Sequence, residues 1–208
     1  MAEKLYTTLS KEGRSEYEEK KSVFLGYARR IESEEDALAY FKSIRAAHPD
    51  ARHVVWAFRQ KDGAVMRYSE DGEPQGSAGL PMLELLKRAD LNDAAVAVVR
   101  YFGGILLGVG GLSRAYGKAA KDALEDAGIV TYEPYAVCSL SCSYGDYERY
   151  RAEFPKYGVL TDGTRFSDRV ELLFAVKAEK EGELFARIKE MSNGADEPKR
   201  IGSRFDKG

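Results

Sequence analysis

The chain has 208 residues, 44% of them hydrophobic and 32% charged, with 20 glycines and 6 prolines. That usage is ordinary for a globular protein and excludes a disordered, collagen-like or disulfide-dense scaffold. Thirty-two Lys and Arg face 34 Asp and Glu, a net charge of −2. This excludes the broad basic coat of a bulk nucleic-acid binder, so a polyanion has to be held by a few placed cations.

In chain order, the first thirty residues read as charged strand-like pieces that end in Ser22-Val-Phe-Leu-Gly-Tyr-Ala. Ser33, with Asp36 three residues on, predicts a helix start. Ala37, Tyr40, Phe41 and Ile44 then recur at helical spacing up to His48-Pro49. Val54, Trp56 and Phe58 alternate as in a strand, Asp62-Gly63 marks a hairpin turn, and Ala64–Tyr68 is its return strand. A loop from Glu70 to Pro81 carries Asp71 and Glu73, and Met82, Leu83, Leu85 and Leu86 give a short amphipathic helix. Ala94–Val99 is a continuous apolar run, as in a strand covered on both faces. It leads into Arg100-Tyr-Phe-Gly-Gly-Ile-Leu-Leu-Gly-Val-Gly-Gly111, and a helix is expected from Leu112, stopped by Gly128.

Glu133-Pro134 reads as a boundary, giving domains 1–133 and 134–208 with net charges of −2 and 0. Beyond it the pattern is strand (135–142), helix (146–157), strand (158–165), strand (168–177), helix (180–192) and strand (199–205). That is the ferredoxin-like split βαβ order. Cys138 and Cys142, four apart on a strand, lie about 13 Å apart, too far for a mutual disulfide. They read as buried thiols of a reducing compartment. No apolar leader-type segment and no membrane-spanning run is found, so a soluble, cytoplasmic protein is expected.

Three segments carry a family resemblance: Ile44-Arg-Ala-Ala-His-Pro-Asp-Ala-Arg-His53, Ser69-Glu-Asp-Gly-Glu-Pro-Gln-Gly-Ser-Ala-Gly-Leu-Pro81, and Val99 through Arg114 to Tyr116. In this order and spacing the chain resembles the YigZ/Impact family. The resemblance implies an α/β (α+β) protein with an N-terminal domain like ribosomal protein S5 domain 2. The C-terminal domain would be ferredoxin-like, similar to elongation factor G domain V. Eukaryotic Impact proteins bind a coactivator of a translation-stress kinase, so the resemblance also implies a role in translation.

From the residues, the glycine segment is the strongest chemical signal. A buried strand, glycines and a helix start suit a bound anion, because backbone N–H groups converge on it and the helix N-terminus is positive. Val109 stands where a Walker A lysine would be and Ser113 where a third dinucleotide-motif glycine would be, so neither motif is complete. Gly108–Ala115 is similar to the glycine-serine loop of the galactokinase/homoserine kinase superfamily, without its Pro and paired serines. Arg114 sits in the first helical turn against the helix dipole, and Lys118 and Lys121 share its face. The anion- or RNA-binding set is therefore Arg100, Tyr101, Gly103, Gly104, Gly108, Gly110, Gly111, Ser113, Arg114 and Lys118. Asp71 and Glu73, with His53, are the acid/base candidates, although Asp-Gly and Glu-Pro are also turn chemistry. His48 and His53 are the only histidines, and zinc ligation by them would need Asp71 or Glu73 as a third ligand; with no His-x-x-x-His helix and no Cys/His cluster, no metal is expected, and no cofactor is expected either. On the C-terminal domain, Val137, Ser139 and Ser141 suggest that one face of the first strand is lightly covered, and Arg165, Lys199, Arg200 and Arg204 would add a phosphate-tracking edge. The expectation is a binding protein, not an enzyme, that contacts RNA, the ribosome or a translation-related protein. The alternative is an enzyme or sensor for a small phosphorylated ligand at the same loop.

Overall fold

A computed structural model describes residues 5–207; Met1–Lys4, part of the stretch read above for a leader, lie outside the described residues. The chain divides into two compact units. One runs from Thr7 to Val130; the other holds Tyr6 and the chain from Thr131 onward.

The first strand of the chain is β1 (Tyr6–Leu9), and the first unit is built on strands β2 (Gly13–Glu19), β3 (Ser22–Arg30), β4 (His53–Arg59), β5 (Met66–Ser69) and β6 (Ala94–Tyr101). They form a sheet in the order β2-β3-β6-β4-β5 with every pair antiparallel. The apolar run of β6 explains its central place: it is buried on both faces. Ala95, Ala97 and Val99 face helix α1 (Glu34–Ala47) with its Phe41 and Ile44. Val96 and Val98 face α2 (Gly79–Arg88) and α3 (Gly108–Ala127). Gly26 on β3 lets α3 lie close against the sheet, since a Cβ there would stand 2.5 Å from the Ala119 carbonyl oxygen. Ala119, Ala120 and Ala123 supply the matching small face of the helix.

Ser33 caps α1, its hydroxyl accepting the Asp36 N–H at 3.2 Å, as its spacing predicts. The start of α3 departs from expectation. The helix begins at Gly108, four residues before Leu112, so Gly108, Gly110 and Gly111 form its first turn and not a loop. Gly108 enters the helix with a positive φ, and buried Leu112, Ala115 and Tyr116 anchor the turns that follow.

In the second unit β7 (Ile129–Cys142) passes through Glu133-Pro134 without a break. It is followed by α4 (Tyr144–Tyr157), β8 (Leu160–Phe166), β9 (Val170–Lys177), α5 (Glu181–Met191) and β10 (Lys199–Lys207). The antiparallel order β10-β7-β9-β8 is the ferredoxin-like arrangement. Cys138, Leu140, Cys142, Phe174 and Val176 face Tyr150, Phe154, Leu184 and Ile188 of the two helices. The fold is a two-domain α+β arrangement with two antiparallel sheets. No described helix is long and apolar enough to cross a membrane.

Candidate functional site

Strand register brings the first site residues together. His53 of β4 pairs with Arg100 of β6, and Arg100 pairs with Phe24 of β3. By alternation with Val55 and Val98 these side chains lie on the α2/α3 face. Glu73 reaches them from the loop before α2, and Tyr116 from the third turn of α3. Arg100 Nη1 donates to Glu73 Oε1 at 2.6 Å and the Tyr116 hydroxyl donates to the same oxygen at 2.8 Å. The His53 Nε2 atom is 3.7 Å from it. Glu73, Arg100 and Tyr116 are all buried. Burial and the adjacent Glu73 carboxylate push the Tyr116 phenol far up, so it stays a donor.

Asp71 holds this cluster in place. Its carboxylate accepts the Val54 N–H at 2.6 Å and pairs with Arg45 of α1. Its carbonyl oxygen lies 2.7 Å from His53 Nδ1. A carbonyl can only accept, so Nδ1 carries a proton and the ring turns its Nε2 toward Glu73. Asp71 therefore orients His53 through its carbonyl, while its carboxylate is engaged by Arg45 and the Val54 N–H. Glu70, which the sequence reading passed over, accepts N–H bonds from Gly76, Ala78 and Gly79 at 2.8–2.9 Å. It supplies the anion at the N-terminus of α2, whose own first turn has no acidic residue.

The glycine segment lies next in the chain. Gly103 is a packing residue: a Cβ there would stand 2.1 Å from the Lys21 carbonyl carbon, and its N–H donates to Ser22 Oγ at 3.1 Å. Gly104 and Gly108 have positive φ of 86° and 69°. The first turn of α3 has no side-chain cap. Gly110 lies under Arg114, with 3.6 Å between its would-be Cβ and Arg114 Nη1. Arg114 is exposed and has no ion pair among the described residues, and Ser113 is partly buried. The rest of the expected basic face is neutralised, Lys118 by Asp122 at 2.6 Å and Lys121 by Glu125 at 3.4 Å. Around this start stand apolar side chains in solvent: Phe102, Ile105, Val109 and above all Leu106, which is 84% exposed.

The histidines lie apart. His48 is on the α1 face, its Nε2 2.7 Å from the Tyr27 hydroxyl and its Nδ1 2.8 Å from that of Tyr101. Tyr101 thus points away from Arg100, as strand alternation requires. Among the described residues no group of three or more His, Cys, Asp or Glu is placed to hold a metal ion. On the C-terminal sheet an open depression of about 790 Å³ is lined by Ser139, Ser141, Arg165, Leu173 and Lys199, with Glu171 and Glu197 among them. Arg200 and Arg204 are paired with Glu181 and Asp162.

Comparison with known proteins fits this division. The profile of the Impact N-terminal domain matches residues 20–124, which hold every residue of the cluster. The chain belongs to the Impact family. A domain of unknown function, DUF1949, matches residues 140–195 within the ferredoxin-like unit. An IMPACT family member of Haemophilus influenzae is 38% identical over 183 residues, 86% of this chain and 88% of that one. IMPACT family member YigZ of Escherichia coli is 36% identical over 179 residues, 85% and 88% of the two chains. A solved structure described as a hypothetical protein superposes with a TM-score of 0.60 at 32% identity, covering 97% of this chain and 98% of the other.

Proposed function

We propose that this Impact-family chain is a regulatory binding protein of the translation apparatus, and that it engages a ribosome-associated protein partner through the surface from Phe102 to Val109. The family resemblance supplies the translational setting, and the exposure of Leu106 carries the choice of partner. A clustered apolar rim is expensive to leave in water and suits an apolar partner surface. Arg114 beside it, exposed and without an ion pair among the described residues, suits an acidic group on that partner. RNA is the weaker occupant, because the rim itself is apolar and Lys118 and Lys121 of the adjoining helix are paired with Asp122 and Glu125.

Co-sedimentation with ribosomes tests this reading. Binding should persist on ribosomes that keep their associated proteins and fall on salt-stripped ribosomes, with Leu106→Asp abolishing it and Arg114→Ala weakening it. Equal binding by Leu106→Asp, or binding to purified ribosomal RNA that falls steeply with salt, overturns the proposal. A second reading, a sensor or enzyme for a small phosphorylated ligand, draws support from one observation: Glu73 meets α3 through Tyr116, one helix turn and a half beyond the glycines.

A further inference from the structure

We infer that the buried Arg100 is the anion-holding half of a small-molecule site, and that its ligand pairs a phosphate or carboxylate with a hydroxyl or amino group. The inference rests on the second reading only in placing a small ligand in this domain. It moves the anion from the helix start to the cluster behind it.

The argument begins with unused hydrogen-bonding capacity. A guanidinium has five N–H donors. Arg100 is 5% exposed, yet among the described residues only its Nη1 finds a partner, Glu73. Its Nε is buried with no hydrogen bond. A buried donor on a charged group is costly to leave unpaired, and native structures rarely do so without a role for it. The pair with Glu73 is also single-stranded. Arginine and a carboxylate prefer the two-bond fork, and here one nitrogen meets one oxygen. The unused half of the fork leaves donors at Nε and Nη2 and an acceptor at Glu73 Oε2.

The acceptor side is crowded in a complementary way. Glu73 Oε1 accepts from Arg100 and Tyr116, Oε2 accepts no hydrogen bond among the described residues, and His53 Nε2 stands 3.7 Å from Oε1. A hydroxyl or amino hydrogen from a ligand would satisfy Oε2. The guanidinium carbon lies 5.6 Å from the Phe24 ring and 5.4 Å from that of Phe102. Phe102 is 41% exposed, so this neighbour of Arg100 reaches solvent. Buried donors for an anion, an adjacent acceptor for a hydroxyl and an aromatic rim therefore converge at one place.

The test is calorimetric titration of the full chain with two probes, inorganic phosphate and glycolate, the second carrying a carboxylate and a hydroxyl. Arg100→Lys keeps a cation facing Glu73 and removes the Nε and Nη2 donors, and a melting curve shows whether it folds. Wild-type binding of either probe that weakens at least tenfold in Arg100→Lys and is unchanged in Arg114→Ala supports the site, and the better probe identifies the anion. His53→Gln, on the partly exposed side of the cluster, should weaken glycolate more than phosphate and serves if Arg100→Lys does not fold. Binding kept in both cluster variants and lost in Arg114→Ala overturns the inference while the second reading stands. No wild-type binding at millimolar concentration of either probe overturns both.

Discussion

Replacing Tyr116 by Phe removes one oxygen from the middle of the buried cluster and leaves its packing intact. The ring lies edge-on to Phe24 at 5.1 Å, and Phe can keep that contact. What is lost is the 2.8 Å hydrogen bond to Glu73. Hydrogen bonds to charged groups contribute about 1.5–3 kcal/mol. Glu73 retains Arg100 at 2.6 Å, so the lower half of that range applies and about 1.5–2 kcal/mol is expected. For a domain of this size such a loss lowers the melting temperature by roughly 5–10 °C. Urea unfolding followed by tryptophan fluorescence reads it well, because Trp56 lies in this unit, on β4. A double-mutant cycle with Glu73→Gln isolates the pair, and the coupling should exceed about 0.5 kcal/mol. A Tyr116→Phe protein within about 0.5 kcal/mol of wild type, or zero coupling, would refute the cluster as described.

Four further outcomes follow from the structure. Gly103→Ala drives a Cβ to within 2.4 Å of Lys21 and Ser22 backbone atoms and should cost about 3 kcal/mol or more by urea denaturation. Gly110→Ala, in open helix, should instead stabilise by about 0.5–1 kcal/mol; a loss there would show a packing role the structure does not contain. Glu70→Ala leaves the N–H groups of Gly76, Ala78 and Gly79 uncapped and should cost about 2 kcal/mol, with hydrogen exchange rising first at the start of α2. Burial pushes the Cys138 and Cys142 thiols from 9.0 up to about 11. Their contribution is therefore full below pH 9 and lost as pH rises from 9 toward 11, because the unfolded chain ionises first. Wild type should lose stability over that window faster than Cys138→Ala/Cys142→Ala, and parallel curves would contradict the burial.

Much of this architecture is legible in the sequence because its signals are local. Ser33 with Asp36 announces α1, the run Ala94–Val99 announces a central strand, and the order of elements after Pro134 announces a ferredoxin-like unit. The start of α3 is less legible, since glycine propensity argues against helix and only the burial of Leu112, Ala115 and Tyr116 pulls the turn into register. The site is legible as a list of residues and not as a set of partners. Arg100 reads as a surface cation at a strand end, and it is instead buried against a carboxylate 27 residues away in sequence. Tyr116 shows only helical spacing, and its hydroxyl meets Glu73 across 43 residues. Lys118 and Lys121 share a face with Arg114 as their spacing requires, but the acidic residues four positions on consume them. Glu70 escapes notice for the same reason, since it caps a helix that begins nine residues later. Periodicity reports faces; pairing across sheet and helix does not repeat with any period.

The most direct test is nuclear magnetic resonance of the Arg100 side-chain Nε–H during titration of the wild-type protein with inorganic phosphate and with glycolate. The structure leaves that donor buried and unpaired, so one of the two anions should shift its resonance and slow its exchange, with the His53 ring following. An Arg100 signal that stays fixed with both anions while the Gly108–Gly111 amides move would contradict the account and return the anion to the helix start.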